Sequence, residues 1–311
     1  MAARLAACAR APGAGAGARG ARRLSTTPPR DDAWARSLAS LEAARAARHP
    51  ATIRRYVAIG DSSTEGLMDR RSAAEGGGFR GWSERLAERL AQREPGLLYA
   101  NLAVRGLTTR EIREQQLERA LAMNPELATV FCGTNDVLSA RFDVQAFTTD
   151  VHAMQGALRA QGATVLTFTL PDLTPLLPLA RLIAPRIELM NAAVRAVCGL
   201  TGTLLVDFAQ YPVTTDERLW DPDRIHANPA GHARIADALA EALALPGSSA
   251  AWREPLPPRA VSPLASVARE AFWSARYLLP WCALGLLPRR TNTRSPGKRP
   301  ELTPWRSEAR G

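Results

Sequence analysis

Five short runs of almost unbroken apolar, β-forming residues, at positions 55–61, 97–104, 127–133, 163–170 and 203–208, constrain this 311-residue chain more than any other feature. A strand with one face in water alternates polar and apolar side chains, whereas a continuous apolar run needs cover on both faces, as strands of a parallel sheet have. The segments between the runs carry helical stripes: Trp82, Leu86 and Leu90; Val144, Phe147, Val151, Met154 and Leu158; Ile235, Leu239 and Leu243. Alternating strands and helices joined by right-handed crossovers predict an α/β fold, a three-layer α/β/α sandwich around a five-stranded parallel sheet. Such sheets carry their functional loops at the carboxyl ends of the strands.

At 46% apolar residues the chain can bury a substantial core. Its formal net charge of +10 first suggests nucleic acid, but the charge is unevenly placed. Residues 1–50 hold nine Arg against three acids, and residues 247–311 hold eleven Lys+Arg against four. Residues 51–246 are left with 20 basic and 23 acidic residues, a net −3, so the expected folded part offers no basic footprint and no specific nucleic-acid partner is expected. The boundaries implied are an Ala/Arg/Gly-rich tail at 1–50 (disordered, then a short helix), a domain at 51–246 and an extension at 247–311. Cys8, Cys132, Cys198 and Cys282 are scattered, which argues against structural zinc and a disulfide framework. No metal or cofactor is expected. The tail lacks the apolar run of a secretory signal and its Gly-x-Gly-x-x-Gly at 15–20 follows no strand, so the expected location is cytoplasmic; its acid-free, Arg-rich start is also compatible with a mitochondrial leader.

The stretch Asp221-Pro222-Asp223-Arg224-Ile225-His226-Ala227-Asn228-Pro229-Ala230-Gly231-His232 sets an aspartate three residues before a histidine, ahead of a strong helix start. Asn228 suits the N-cap and Pro229 the first helical position, where a missing N–H costs nothing. A carboxylate behind a histidine can fix its tautomer and stabilise the imidazolium, which is half of a nucleophilic hydrolase. Asp223 has the better spacing, though Asp221 is an alternative. Among the four histidines, His49 lies in the tail, His152 is expected at the surface, and His232 falls on the stripe of Ile235 and Leu239 and is expected to be packed. Upstream, Gly60-Asp61-Ser62-Ser63 follows the first run, Asn101-Leu102-Ala103-Val104-Arg105-Gly106 the second, and Gly133-Thr134-Asn135-Asp136 the third. Each is also ordinary turn chemistry, so Ser62 is open to a helix-capping role, Ser63 is a rival nucleophile, and Asn135 and Asp136 are open to turn-forming roles.

In order and placement, these blocks over residues 56–232 resemble the SGNH hydrolases, or GDSL-type esterases and lipases, of bacterial type. The resemblance implies a flavodoxin-like sheet and a metal-independent serine esterase. It assigns Ser62 as nucleophile, His226 as base, Asp223 as its orienting acid, and Ser62, Gly106 and Asn135 as oxyanion-hole donors. Ser63 stands where relatives often carry an apolar or aromatic residue. The expected substrate is a small-molecule or lipid ester; a carbohydrate or cell-wall O-acetyl esterase is the alternative, and a silent binding protein on the same scaffold is the alternative of another class. Residues 171–180, apolar and proline-rich, are expected to wall an acyl pocket, to act as a lid or to pack on the body. Residues 262–288 form an apolar segment flanked by Arg269, Arg276, Arg289 and Arg290, expected to pack on the core or on a second subunit, or to touch a membrane surface weakly, before a disordered basic tail.

Overall fold

The protein is described by a computed structural model over residues 52–139, 141–259, 269–278 and 295–305. The five apolar runs become β1 (Arg55–Gly60), β2 (Leu98–Asn101), β3 (Leu127–Phe131), β4 (Thr164–Phe168) and β5 (Leu204–Val206). They lie in the order β5-β4-β3-β1-β2, all parallel, with Ala58 opposite Asn101 on one side and Thr129 on the other. Among the described residues they are connected and followed by the helices α1 (Ser62–Glu65), α2 (Gly81–Arg93), α3 (Thr109–Ala122), α4 (Thr134–Val137), α5 (Val144–Ala160), α6 (Ala184–Thr201) and α7 (Pro229–Ala242). Helices α2 and α7 pack together, and α5 packs against both α3 and α6, which makes the two outer layers. Both faces of β1, β3 and β4 are therefore covered, as their unbroken hydrophobicity requires: Val57, Ile59, Val130, Val165 and Leu166 are all buried.

A sixth strand departs from the expectation. Residues 299–304, placed by sequence in a disordered basic tail, form β6 (Arg299–Pro304), antiparallel to β2 at the sheet edge. Tyr99 faces Thr303, the Trp305 N–H donates to the Leu97 carbonyl at 2.7 Å, and the Trp305 ring stands edge-on to Tyr99. Two prolines in six residues hid the strand, but an edge strand leaves half of its N–H groups unpaired and tolerates them. Nor does the packed body end at 246: Trp252 is buried against Phe208 and Tyr211, and Trp273, in a helical stretch at 269–273, is buried as well. Phe272 beside it is exposed. The remainder of 262–288 and of the basic tail, Cys8, Cys282 and the whole of 1–50 lie outside the described residues. Cys132 and Cys198 are buried free thiols. Among the described residues no helix is long and apolar enough to cross a membrane.

Two buried polar side chains tie the layers together. Gln116, on α3, accepts from the Gly60 N–H (2.8 Å) and donates to the Gly60 carbonyl (2.9 Å), clasping the last residue of β1. His232, on α7, accepts from the Trp82 N–H at Nδ1 (3.2 Å) and donates through Nε2 to the Leu67 carbonyl (3.0 Å), so it is a packed histidine with one proton. Burial depresses its pKa to about 4.

Replacing Gln116 by Leu keeps the volume but orphans the buried Gly60 N–H; the variant is expected to lose about 2 kcal/mol of stability in urea unfolding. For His232 the folded pKa lies below the ordinary value, so between about pH 6.5 and 4 the native state binds fewer protons than the unfolded one. The stability advantage of the wild type over His232→Gln should therefore be complete above pH 6.5 and shrink as pH falls toward 4, by on the order of 3 kcal/mol, in denaturant titrations across that range.

Candidate active site

In the strand order the chain leaves β1 toward β2 on one side and returns to β3 on the other, so a crevice opens at the carboxyl ends of β1 and β3. Ser62 stands there as the first residue of α1. The preceding Asp61 is the N-cap, its Oδ1 accepting from the Ser63 N–H at 3.0 Å. The turn is tight enough that Gly60 has no room for a side chain: a Cβ would lie 2.2 Å from Thr64 Oγ1 and 2.5 Å from the Phe131 carbonyl. This places the serine hydroxyl beyond the carboxyl end of β1 rather than within the sheet.

Opposite stands the turn between β5 and α7. The structure brings His226 to Ser62, 164 residues away, with Ser62 Oγ 2.9 Å from His226 Nε2. The other ring nitrogen, Nδ1, is 2.7 Å from Asp223 Oδ2. Asp223 Oδ1 accepts from the backbone N–H groups of Ile225 and His226, both at 2.9 Å, so one carboxylate folds the turn and holds the ring. Burial raises the Asp223 carboxyl, but its hydrogen bonds from His226 and Ile225 outweigh that and hold it below the usual carboxylate range. Asp221, the alternative acid, instead caps the turn, accepting from the Asp223 N–H at 3.2 Å. Asn228 caps α7, its Oδ1 accepting from Ala230 and Gly231, with Pro229 at the first helical position. A chain from hydroxyl through imidazole to carboxylate can take the proton from an attacking serine and return it to a leaving group.

Ser63, the neighbouring serine, is engaged elsewhere: its Oγ accepts from Trp82 Nε1 at 3.3 Å. Gly106 adopts a left-handed backbone, φ 83°, in the loop after β2. Asn135 lies in the first turn of α4; its Nδ2 donates to the Leu107 carbonyl (3.0 Å) and reaches toward Asp61 Oδ2 (3.4 Å). Asn135, Leu107 and Asp61 are thereby gathered beside the Ser62 turn. Burial lifts the Asp61 pKa to about 7, against the pull of the Ser63 N–H and of His226. Asp136 accepts from both the N–H and the hydroxyl of Thr109 at 2.9 Å, joining the loops after β2 and β3, and its carboxyl is raised by burial. His152 is exposed; His49 lies outside the described residues.

Beside Ser62 and His226 opens a pocket of about 70 Å³ whose floor is aromatic: Phe131, Phe168, Phe208 and Trp252. Phe131 and Phe168 stack at 4.0 Å, Phe208 meets Phe168 edge-on, and Trp252 meets Phe208 edge-on. Of the proline-rich segment at 171–180, Pro171 lines the pocket, while Leu173 and Leu176 pack into the core, so wall and body are both present. Sequence reasoning passed over Gln116, Trp252 and the Arg224 side chain. Only Trp252 carried a signal, a lone large aromatic in a polar stretch.

The family model of the GDSL-like lipases and acylhydrolases matches residues 58–234, more than half of the chain. No curated protein matches the sequence. Among solved structures, LAE5, an alpha/beta hydrolase from the metagenome of Lake Arreo, Spain, shares 22% identity over 63% of this chain and 97% of its own, with a TM-score of 0.53. A catalytic mutant of Axe2, an acetylxylan esterase from Geobacillus stearothermophilus, shares 17% over 65% and 97%, TM-score 0.51. A putative GDSL-like lipase from Parabacteroides merdae shares 17% over 62% and 97%, TM-score 0.52. The likeness to these structures is one of fold, an α/β layer sandwich with a mostly parallel sheet. Taken with the family match, it means that the chain belongs to the GDSL-like lipase/acylhydrolase family and is a carboxylic ester hydrolase.

Proposed function

We propose that the protein is a serine esterase in which Ser62 is the nucleophile, His226 the general base and Asp223 the group that orients and stabilises the imidazolium. The observation that carries this reading is the unbroken run of 2.9 Å from Ser62 Oγ to His226 Nε2 and 2.7 Å from His226 Nδ1 to Asp223 Oδ2. In the proposed route, Ser62 attacks the ester carbonyl as His226 takes its proton. His226 then protonates the departing alkoxide, leaving an acyl-enzyme. Water, deprotonated by His226, releases the acid and restores the hydroxyl.

The tetrahedral intermediates need donors aimed at their oxyanion. The Ser62 N–H, the Gly106 N–H and the Asn135 amide are assigned that role; the left-handed backbone at Gly106 supports a backbone N–H turned toward substrate, and the hydrogen bond from Asn135 to the Leu107 carbonyl fixes its amide. Asp61 lies under this amide. Its raised pKa favours the neutral form below about pH 7, in which no negative charge opposes the oxyanion.

For the acyl side the proposal is a short, apolar group. The pocket beside Ser62, about 70 Å³, is lined chiefly by apolar side chains, which suits a short acyl chain.

In hydrolysis of p-nitrophenyl esters, Ser62→Ala and His226→Ala are each expected to lose at least about 10³-fold in kcat, and Asn135→Ala about 10²–10³-fold. A Ser62→Ala enzyme retaining full activity, with no fluorophosphonate adduct lost, would refute the mechanism. Across acyl lengths, kcat/KM should be highest from acetate to butyrate and fall steeply beyond; a profile that keeps rising to long chains removes the short-acyl assignment.

A further inference from the structure

Arg224 sits between Asp223 and His226 in a left-handed backbone conformation, φ 59°, although it is not glycine. A side-chain-bearing residue persists there only where its surroundings hold it, because its Cβ crowds the following carbonyl. The turn holds its backbone locally, the Arg224 N–H donating to the Asp221 carbonyl at 2.8 Å, and two of its side-chain partners come from outside the family region at 58–234. The Arg224 guanidinium donates to both carboxylate oxygens of Glu270, Nη1 at 2.8 Å and Nη2 at 2.5 Å. Nη1 also donates to the Leu176 carbonyl at 3.0 Å, and Cζ lies 4.6 Å over the Trp273 ring. Although charged, the Arg224 side chain is only 12% exposed, and Trp273 is buried. The same helical stretch is tied down a second time, by Arg269 to Glu217, which lies in the segment leading into the Asp223 turn.

A two-point carboxylate pairing fixes the guanidinium plane, and an aromatic face beneath it fixes the remaining direction. We infer that Glu270 and Trp273 are positioning residues: acting through Arg224, they hold the Asp223–His226 turn in line with Ser62, so that the extension at 269–273 is part of the active-site scaffold. The inference rests on the roles proposed above for Ser62, Asp223 and His226. Because the Glu270 side chain is 47% exposed, its pairing adds little to global stability, and loss of alignment can be read separately from unfolding. A misplaced base costs rate more than substrate binding, since the aromatic floor of the acyl pocket, Phe131, Phe168, Phe208 and Trp252, lies outside this turn.

The test compares full-length wild type, Glu270→Ala, Glu270→Gln and Trp273→Leu in p-nitrophenyl acetate hydrolysis, with active sites titrated so that only competent enzyme is counted. Ser62→Ala serves as the control. Glu270→Ala and Trp273→Leu should each lose about tenfold in kcat with KM within twofold of wild type. Glu270→Gln, which keeps one acceptor, should recover part of that loss. Values of kcat within twofold of wild type in both Glu270→Ala and Trp273→Leu overturn the inference, as does a loss confined to KM. If Ser62→Ala itself stays active, the reading of the site has failed; if it is inactive while Glu270→Ala behaves as wild type, only the positioning role has.

Discussion

The geometry of this site hangs on how the last residue of β1 is held. Gly60 must turn the chain out of the sheet with neither side chain nor slack, and its N–H is buried. The Gln116 amide meets that N–H and the carbonyl together, from a helix 56 residues further along. Because a buried N–H without a partner is costly, the turn cannot drift without breaking that clasp. The position of Ser62, two residues on, is therefore set by the packing of α3 on the sheet as much as by its own helix. The Asp61 cap and the close approach to Thr64 and Phe131 complete the constraint.

The opposing half is built on a different principle. The Asp223 turn lies between a short helical turn at Glu217–Leu219 and α7 rather than on a strand, and is made rigid locally by carboxylates that fold their own backbone: Asp221 over the Asp223 N–H, Asp223 over the N–H groups of Ile225 and His226. One carboxylate oxygen of Asp223 shapes the loop while the other holds the imidazole. Local rigidity does not by itself fix where the turn sits relative to Ser62. That is a matter of tertiary contacts, which enter from α7 below, through the Asn228 cap and buried His232, and from Arg224 at the side.

Much of this was legible in the sequence because its signals are periodic or local. Unbroken apolar runs marked all five parallel strands, with ends displaced by a residue or a few, and Asn228-Pro229 marked the start of α7 because capping depends on nearest neighbours. The packed state of His232 followed from its place on the stripe of Ile235 and Leu239. What stayed hidden depends on distant partners. Gln116 reads as one more polar residue on a charged helix until Gly60 is laid against it. Residues 299–304, Arg-Pro-Glu-Leu-Thr-Pro, have neither alternation nor an apolar run, and are a strand only because β2 offers an unpaired edge. Arg224 looks like a solvated charge inside the Asp-x-x-His motif, and its left-handed backbone has no sequence signature.

The sixth strand has a further consequence, in the order of events during synthesis. Its partner β2 lies some 200 residues earlier, so the β2–β6 pairing is among the most non-local contacts in the chain. Contacts of that separation form late, after shorter loops have closed. On a ribosome the parallel sheet and its helices can assemble while residues 299–304 are still unmade, leaving the edge of β2 open with Tyr99 uncovered. An open edge is a template for pairing with another chain. The strand that closes it thus emerges only after the whole parallel sheet, and the interval before it docks is when nascent copies are most exposed to one another.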